Sequence, residues 1–321
     1  MKRKICFRAD ASVQIGYGHF VRTLALANML KEEYDCTFFT QLPTRHQITE
    51  VGKVCELVEL PANENKFDDF LNYLTGDELV VLDNYFYSSE YEKVIKDKGC
   101  KLISIGANDR HYYADVIVNF TNLKPSDFSA ESYTKFCLGL NWSILRCPFY
   151  NNKIIKKKNG FVICIGGTDQ FAYSEQFYEC LENRYPEQEI CIIATDRIGI
   201  ERINAFNKRN VRLLLNLSAE QMARQFAKAE VAIVSASSVA LEALSQGAEV
   251  IAGTYVDNQI NIYHALNEDG YIWGVGSFND DKICERVCNS IDAIKKGKKK
   301  KKFVANNTVN LYKKLFRGLC K

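Results

Sequence analysis

Long apolar runs are missing from this sequence. The basic start Met1-Lys2-Arg3-Lys4-Ile5 leads into an apolar stretch that Arg8 and Asp10 interrupt. That pattern excludes a signal peptide and a membrane span, and makes the cytoplasm the expected location. A strong charge of one sign is missing too, since the formal net charge is only +3. Much of it lies in one tract, Lys295-Lys296-Gly297-Lys298-Lys299-Lys300-Lys301-Lys302, read as a solvated linker or helix end, so no nucleic-acid partner is expected. Nor is there a disulfide framework. The 12 cysteines are spread along the chain, mostly in apolar strand-like runs such as Ile5-Cys6-Phe7 and Ile163-Cys164-Ile165, where they read as buried thiols. Cys284 and Cys288 share a helical face, but no histidine or second cysteine pair lies near enough in sequence to complete a zinc site, so no metal is expected. No short repeat period is visible.

What is present suits packed cores: 47% of the 321 residues are hydrophobic and 25% charged. At roughly 100 to 200 residues per domain, that length predicts two domains with a cleft between them. Short β-branched runs alternate with amphipathic stretches of about 10 to 15 residues, the rhythm of βαβ units around a parallel sheet. The predicted class is therefore α/β. Strands are expected near 3–8, 36–40, 79–82, 101–105 and 115–118, then near 160–165, 189–194, 211–215, 230–234 and 248–253. The polar, turn-rich stretch from Cys147 to Gly160 marks the junction, with domains expected at 1–152 and 158–321. Each half opens with a strand, a glycine-containing turn and a helix, which predicts two doubly wound, Rossmann-like domains.

Four segments carry chemistry. In Ile15-Gly16-Tyr17-Gly18-His19-Phe20-Val21-Arg22, two glycines permit a tight turn at the carboxyl end of the sheet, and the helix that follows offers unpaired N–H groups to an anion. His19 falls in that helix's first turn, with Arg22 at i+3 on the same face. A histidine at a helix start is more often a satisfied polar residue than a catalyst. Placed in a cleft, it can act as general base near neutral pH, worth about 10² to 10⁴ in rate. Ile165-Gly166-Gly167-Thr168-Asp169 follows the first strand of the second half, where its backbone can approach a diphosphate or simply turn from strand to helix. It lacks the Lys-Ser or Lys-Thr of a P-loop and the third glycine of a dinucleotide fingerprint. Ser235-Ala236-Ser237-Ser238 ends a strand and caps a helix carrying Glu242, which either complements the helix dipole or accepts two ribose hydroxyls. Asp257-Asn258-Gln259 offers amides to a phosphate or sugar, though loops favour such residues for turn reasons alone.

In this order, Gly16-Tyr17-Gly18-His19, Gly166-Gly167-Thr168-Asp169, Ser237-Ser238 with Glu242, and Asn258-Gln259 resemble the GT-B superfamily, whose C-terminal domain holds UDP. Within it, Arg8 to Ser12 leading into Gln14 to Arg22, then Asp83-Asn84-Tyr85 and Gly139 to Arg146, resemble the UDP-2,4-diacetamido-2,4,6-trideoxy-β-L-altropyranose hydrolase family of pseudaminic acid biosynthesis. The resemblance covers most of the chain. It implies a GT-B-like fold of two Rossmann-like domains facing across a cleft. It also implies hydrolysis with inversion, in which water deprotonated by His19 attacks the anomeric carbon and frees UDP. The implied substrate-binding set is Asp10, Gly18, Arg22, Tyr85, Arg146, Asn258 and Gln259; the implied UDP-binding set is Gly166, Gly167, Thr168, Ser237, Ser238 and Glu242. No cofactor is expected, because helix N–H groups can meet the leaving diphosphate and the chain has no Asp-x-Asp of the metal-dependent sugar transferases. The expected partner is a UDP-sugar, with the chain a monomer. Two positions depart from the family pattern: Gly106-Ala107-Asn108-Asp109 stands where an Asp-Asp pair is usual, and Phe86 replaces a glycine. The rival readings are a GT-B glycosyltransferase, which an acceptor requirement would reveal, and a non-catalytic nucleotide-sugar-binding module, against which His19 argues.

Overall fold

The computed structural model describes residues 2–12, 16–106, 109–150, 159–166, 169, 171–195, 210–305 and 307–320. The chain divides into two units, one of Met1–Cys147 with Asn306–Lys321 and the other of Pro148–Ala305. Each is built on its own sheet.

The first unit contains β1 (Lys4–Arg8), β2 (Asp35–Gln41), β3 (Glu56–Leu60), β4 (Leu79–Leu82), β5 (Lys101–Ile105), β6 (His111–Tyr112), β7 (Val116–Asn119), β8 (Ser129–Ala130) and β9 (Lys135–Leu138). Seven of these form a parallel sheet in the order β3-β2-β1-β4-β5-β7-β9, while β6 and β8 pair separately. From β1 the chain winds outward to β3, then returns across β1 to begin again at β4. That reversal leaves a switch point between β1 and β4, the place where open α/β sheets bind ligands. All four residues of β4 are buried, as is β1 after Lys4, which is why both strands read as continuous apolar runs. The register sets Arg8 beside Leu82, so the segments after β1 and β4 emerge side by side.

The second unit repeats the winding. Its strands are β10 (Phe161–Cys164), β11 (Ile190–Ala194), β12 (Val211–Leu215), β13 (Val231–Ser235), β14 (Glu249–Thr254) and β15 (Trp273–Ser277), in the parallel order β12-β11-β10-β13-β14-β15. Its switch point lies between β10 and β13.

All ten strands expected from the sequence are present. Five further strands were not expected: β6 and β8, two residues each, and β3, β9 and β15, each the outermost strand at an edge of its sheet. These three edge strands are covered incompletely, most of their residues exposed or half-buried, and give no long apolar run, whereas the edge strand β12 keeps the apolar run Leu213-Leu214-Leu215. Residues 151–158, where the sequence places the junction, lie outside the described residues.

The helix Thr308–Leu319 packs on the first unit. Tyr312 donates to the Trp142 carbonyl at 2.7 Å and Thr308 to the Asn141 carbonyl at 3.0 Å. Phe316 is fully buried, its ring edge-on to Tyr34 at 6.1 Å, and Arg317 grips Glu33 with two hydrogen bonds of 2.7 and 2.8 Å. Phe316→Ala should therefore destabilise the protein by about 3 to 5 kcal/mol in urea unfolding, the range for emptying a buried aromatic site. A loss below about 1 kcal/mol would mean that the helix is not integral to that core. Among the described residues no helix is long and apolar enough to cross a membrane, and no three His, Cys, Asp or Glu side chains are placed to hold a metal ion.

Candidate active site

At the first switch point the two strand ends are clasped together. The Asp10 backbone N–H donates to Asn84 Oδ1 at 2.7 Å, and Asn84 Nδ2 donates back to the Asp10 carbonyl at 3.3 Å. The Asp10 carboxylate is fully buried; Arg8 pairs with it through two nitrogens, and the Gln41 N–H donates to it at 2.9 Å. A buried carboxylate needs such saturation, because an unpaired charge there would be very costly. Asp10 thus braces the ends of β1, β2 and β4.

Between these ends lies the start of the helix Gly18–Leu30. Gly16 adopts φ +83°, a conformation costly for any side-chain-bearing residue, and its N–H closes the turn on the Ser12 carbonyl at 2.8 Å. Tyr17 makes no side-chain cap and no acidic residue stands in the first turn, so the helix start keeps its positive end.

His19, almost completely buried, meets Asp83 just past the end of β4. Its Nδ1 lies 2.7 Å from Asp83 Oδ1. Arg22 donates from Nε to Asp83 Oδ2 at 2.6 Å and from Nη2 to Oδ1, and Thr23 Oγ1 donates to Oδ2 at 2.8 Å. Burial raises the Asp83 carboxyl, but Arg22 and His19 beside it outweigh that effect and hold it at about 2. An ionised carboxylate only accepts hydrogen bonds, so Nδ1 of His19 carries a proton, and in the neutral ring the lone pair is on Nε2. Arg22 Nη2 also lies 3.0 Å from Nδ1, which taken alone would suit the other tautomer. The carboxylate decides the matter: an unprotonated Nδ1 would face Oδ1 lone pair to lone pair, and the Arg22 contact arises because two donors converge on one oxygen. Nε2 has no hydrogen-bond partner among the described residues. The Tyr85 ring stands edge-on to the imidazole at 4.5 Å with half its surface exposed, and the Arg22 guanidinium lies over Phe120 at 5.4 Å.

The second unit presents two helix starts at its own switch point, and they differ. Gly166, at φ +115°, ends the described part of the loop after β10; Gly167 and Thr168 lie outside the described residues. Asp169 caps the helix Tyr173–Arg184, accepting from the N–H groups of Tyr173 at 3.0 Å and Ser174 at 3.1 Å, so those amides are occupied. Beyond β13, Ser237 precedes the helix Ser238–Ser245 without a side-chain cap, its hydroxyl instead 3.1 Å from that of Ser235. This is the helix start that can meet an anion. Glu242 lies one turn in and is buried. Asn258 is exposed in the turn Asp257–Gln259, whereas Gln259 is buried and tied to Tyr255, its side-chain carbonyl accepting the Tyr255 N–H at 3.0 Å. The Tyr255 hydroxyl reaches the Ile165 carbonyl at 3.5 Å, linking the ends of β14 and β10.

Gly18, Arg22 and Tyr85 of the substrate-binding set come together with the expected base His19 at the first switch point. Asp10 stands beside them with its carboxylate committed to protein, and Arg146 lies half-buried after the turn Leu140–Trp142. Gly166, Ser237, Ser238 and Glu242 gather at the second switch point. Sequence reasoning did not single out Asp83, Thr23 or Tyr255 as site residues. For Asp83 a signal exists: a carboxylate directly after the wholly buried run Leu79-Val80-Val81-Leu82 must find charged partners.

No protein-family model matches the sequence. The UDP-2,4-diacetamido-2,4,6-trideoxy-β-L-altropyranose hydrolase of Campylobacter jejuni is 30% identical over 283 residues, which are 84% of this chain and 97% of the relative. Among solved structures, MurG of Acinetobacter baumannii superposes with a TM-score of 0.63 at 12% identity, covering 98% of this chain and 100% of that one. The UDP-GlcNAc 2-epimerase of Neisseria meningitidis, bound to UDP-GlcNAc, gives 0.60 at 12% identity over 99% and 100% of the two chains. These likenesses establish the GT-B-like fold.

Proposed function

The chain belongs to the UDP-2,4-diacetamido-2,4,6-trideoxy-β-L-altropyranose hydrolase family, and from that premise we propose that it cleaves UDP from such a sugar with His19 as the base that activates water. The observation that carries the assignment of the base is the bond from His19 Nδ1–H to an ionised Asp83, which leaves the Nε2 lone pair as acceptor. In the proposed step Nε2 takes a proton from water while the oxygen attacks the anomeric carbon. The bond to the diphosphate breaks, and its electrons leave with UDP. Positive charge develops on the imidazole next to Asp83, where a fixed carboxylate stabilises it. Negative charge develops on the diphosphate, where the uncapped start of the helix Ser238–Ser245 and the backbone around Gly166 stabilise it.

Glu242 is assigned to the ribose, and Asn258 and Gln259 to the nucleotide or sugar. Tyr85, exposed beside the imidazole, is assigned to the sugar ring. The reaction would supply the free diacetamido sugar for pseudaminic acid biosynthesis.

The test is incubation with candidate UDP-diacetamido-trideoxy sugars, following UDP and free sugar by NMR. Equal amounts of UDP and reducing sugar should appear, at a rate unchanged by added acceptor sugars or by EDTA. UDP release that requires an acceptor would make the chain a transferase and end the hydrolase reading.

A further inference from the structure

Three cysteines of the second unit converge away from the site described above. Cys180 stands on the helix Tyr173–Arg184 and Cys288 on the helix Ile283–Lys295, 108 residues apart in sequence, yet their sulfur atoms are 3.6 Å apart. Both are free thiols. Cys284 lies one turn before Cys288; its carbonyl faces the Cys180 sulfur at 3.6 Å, and its own sulfur donates to the Gln176 carbonyl at 3.8 Å.

We propose that Cys180 and Cys288 are an oxidisable dithiol, a reversible modification site that takes a hydroperoxide as its substrate and closes to a disulfide. The sulfurs need approach by only about 1.5 Å to reach the disulfide length of about 2.05 Å. The helices that carry them are already held together. Tyr185 donates to the Cys288 carbonyl at 3.1 Å and to Asp292 at 2.7 Å, and Arg184 pairs with Asp292 at 2.7 Å. Cys288 is itself buried, but the half-buried Cys180 beside it gives a small oxidant a way to the pair, whereas Cys6, Cys36, Cys100, Cys137, Cys164 and Cys191 are buried in or near strands.

Cys288 is the sulfur oxidised first. The hydrogen bond from the Cys180 thiol, with Arg184 nearby, outweighs burial and lowers Cys288 below the ordinary thiol range, while Cys180 is raised. The Cys288 thiolate attacks the O–O bond, forming a sulfenic acid and releasing hydroxide. Cys180 then attacks that sulfur; the S–S bond forms, the S–O bond breaks, and the departing hydroxide takes up the Cys180 proton as water. Two electrons pass from the two thiols to one hydroperoxide. In a reducing compartment the bond would be transient and reopened by thiol exchange. It tethers the helix whose first turn Asp169 caps. The inference does not depend on the identity of the UDP-sugar.

The test exposes the full-length protein to hydrogen peroxide, alkylates remaining thiols after denaturation, and maps the peptides by mass. A linked Cys180–Cys288 peptide should appear, two hydrogens lighter than the reduced pair and restored by dithiothreitol. Cys284→Ser should form the link in full, while Cys180→Ser and Cys288→Ser should lose it completely. In Cys180→Ser the reaction should stop at a Cys288 sulfenic acid that dimedone traps, and circular dichroism will establish that each variant is folded. A link through Cys284 instead, oxidation spread evenly over the cysteines, or a Cys288 still reduced in folded protein after peroxide treatment would each overturn the proposal.

Discussion

Replacing His19 with asparagine should lower turnover of the UDP-sugar by about 10² or more while UDP affinity stays nearly unchanged. The separation follows from where the groups sit. The residues assigned to UDP belong to the second unit, whereas His19 belongs to the first and carries its proton toward Asp83. Asparagine can donate to Asp83 but has no lone pair basic enough to take a proton from water. Loss of kcat with UDP binding intact marks an interaction made in the transition state alone. Isothermal titration with UDP and steady-state hydrolysis on the same preparation check it. A parallel loss of both would show His19 to be a structural residue and remove the proposed base.

Asp83→Asn should also reduce kcat by about 10²-fold, through an indirect route, since Asp83 orients the base and stabilises the charge it acquires. Asparagine keeps the shape of the side chain, but it can turn an NH2 toward Nδ1 and favour the unproductive tautomer. The substitution should be visible in stability as well. The Asp83 carboxyl lies at about 2 in the folded protein against an ordinary 3.8. A carboxyl depressed by folding contributes stability above its unfolded value and loses it as pH falls through its folded value. The difference amounts to about 2 kcal/mol at neutral pH, shrinking to roughly half near pH 3 and vanishing below about pH 2. Urea unfolding of both proteins between pH 7 and pH 3 should therefore show curves that converge on the acid side. A gap that stays constant with pH would mean that the ionised form of Asp83 is not what the fold holds.

The strands of both sheet interiors were legible because a strand covered on both faces needs an unbroken apolar run, and β4, β10 and β13 provide one each. The edge strands β3, β9 and β15, mostly exposed or half-buried, escaped for the converse reason, while the edge strand β12 was legible because Leu213-Leu214-Leu215 keeps it apolar. Within the candidate site, His19 and the glycines around it were legible from local turn chemistry. The fate of Arg22 was not: as a sequence neighbour of His19 it suggests a ligand for the substrate, whereas the structure commits it to Asp83. Asp10 behaves likewise, its carboxylate holding Arg8 and the β2 end.

The α/β class, the two-fold repetition of strand, glycine turn and helix, and the position of His19 at a helix start were determined by the sequence alone, because periodicity and turn preference act over a few neighbouring residues. The partnership of His19 with Asp83 across 64 residues, the Asp10–Asn84 clasp across 74, and the meeting of Cys180 with Cys288 across 108 were decided only by tertiary structure. The return of Thr308–Leu319 to the first unit belongs with them. Each depends on which strands or helices lie side by side. That order follows from how whole apolar faces cover one another, and no short stretch of residues encodes it.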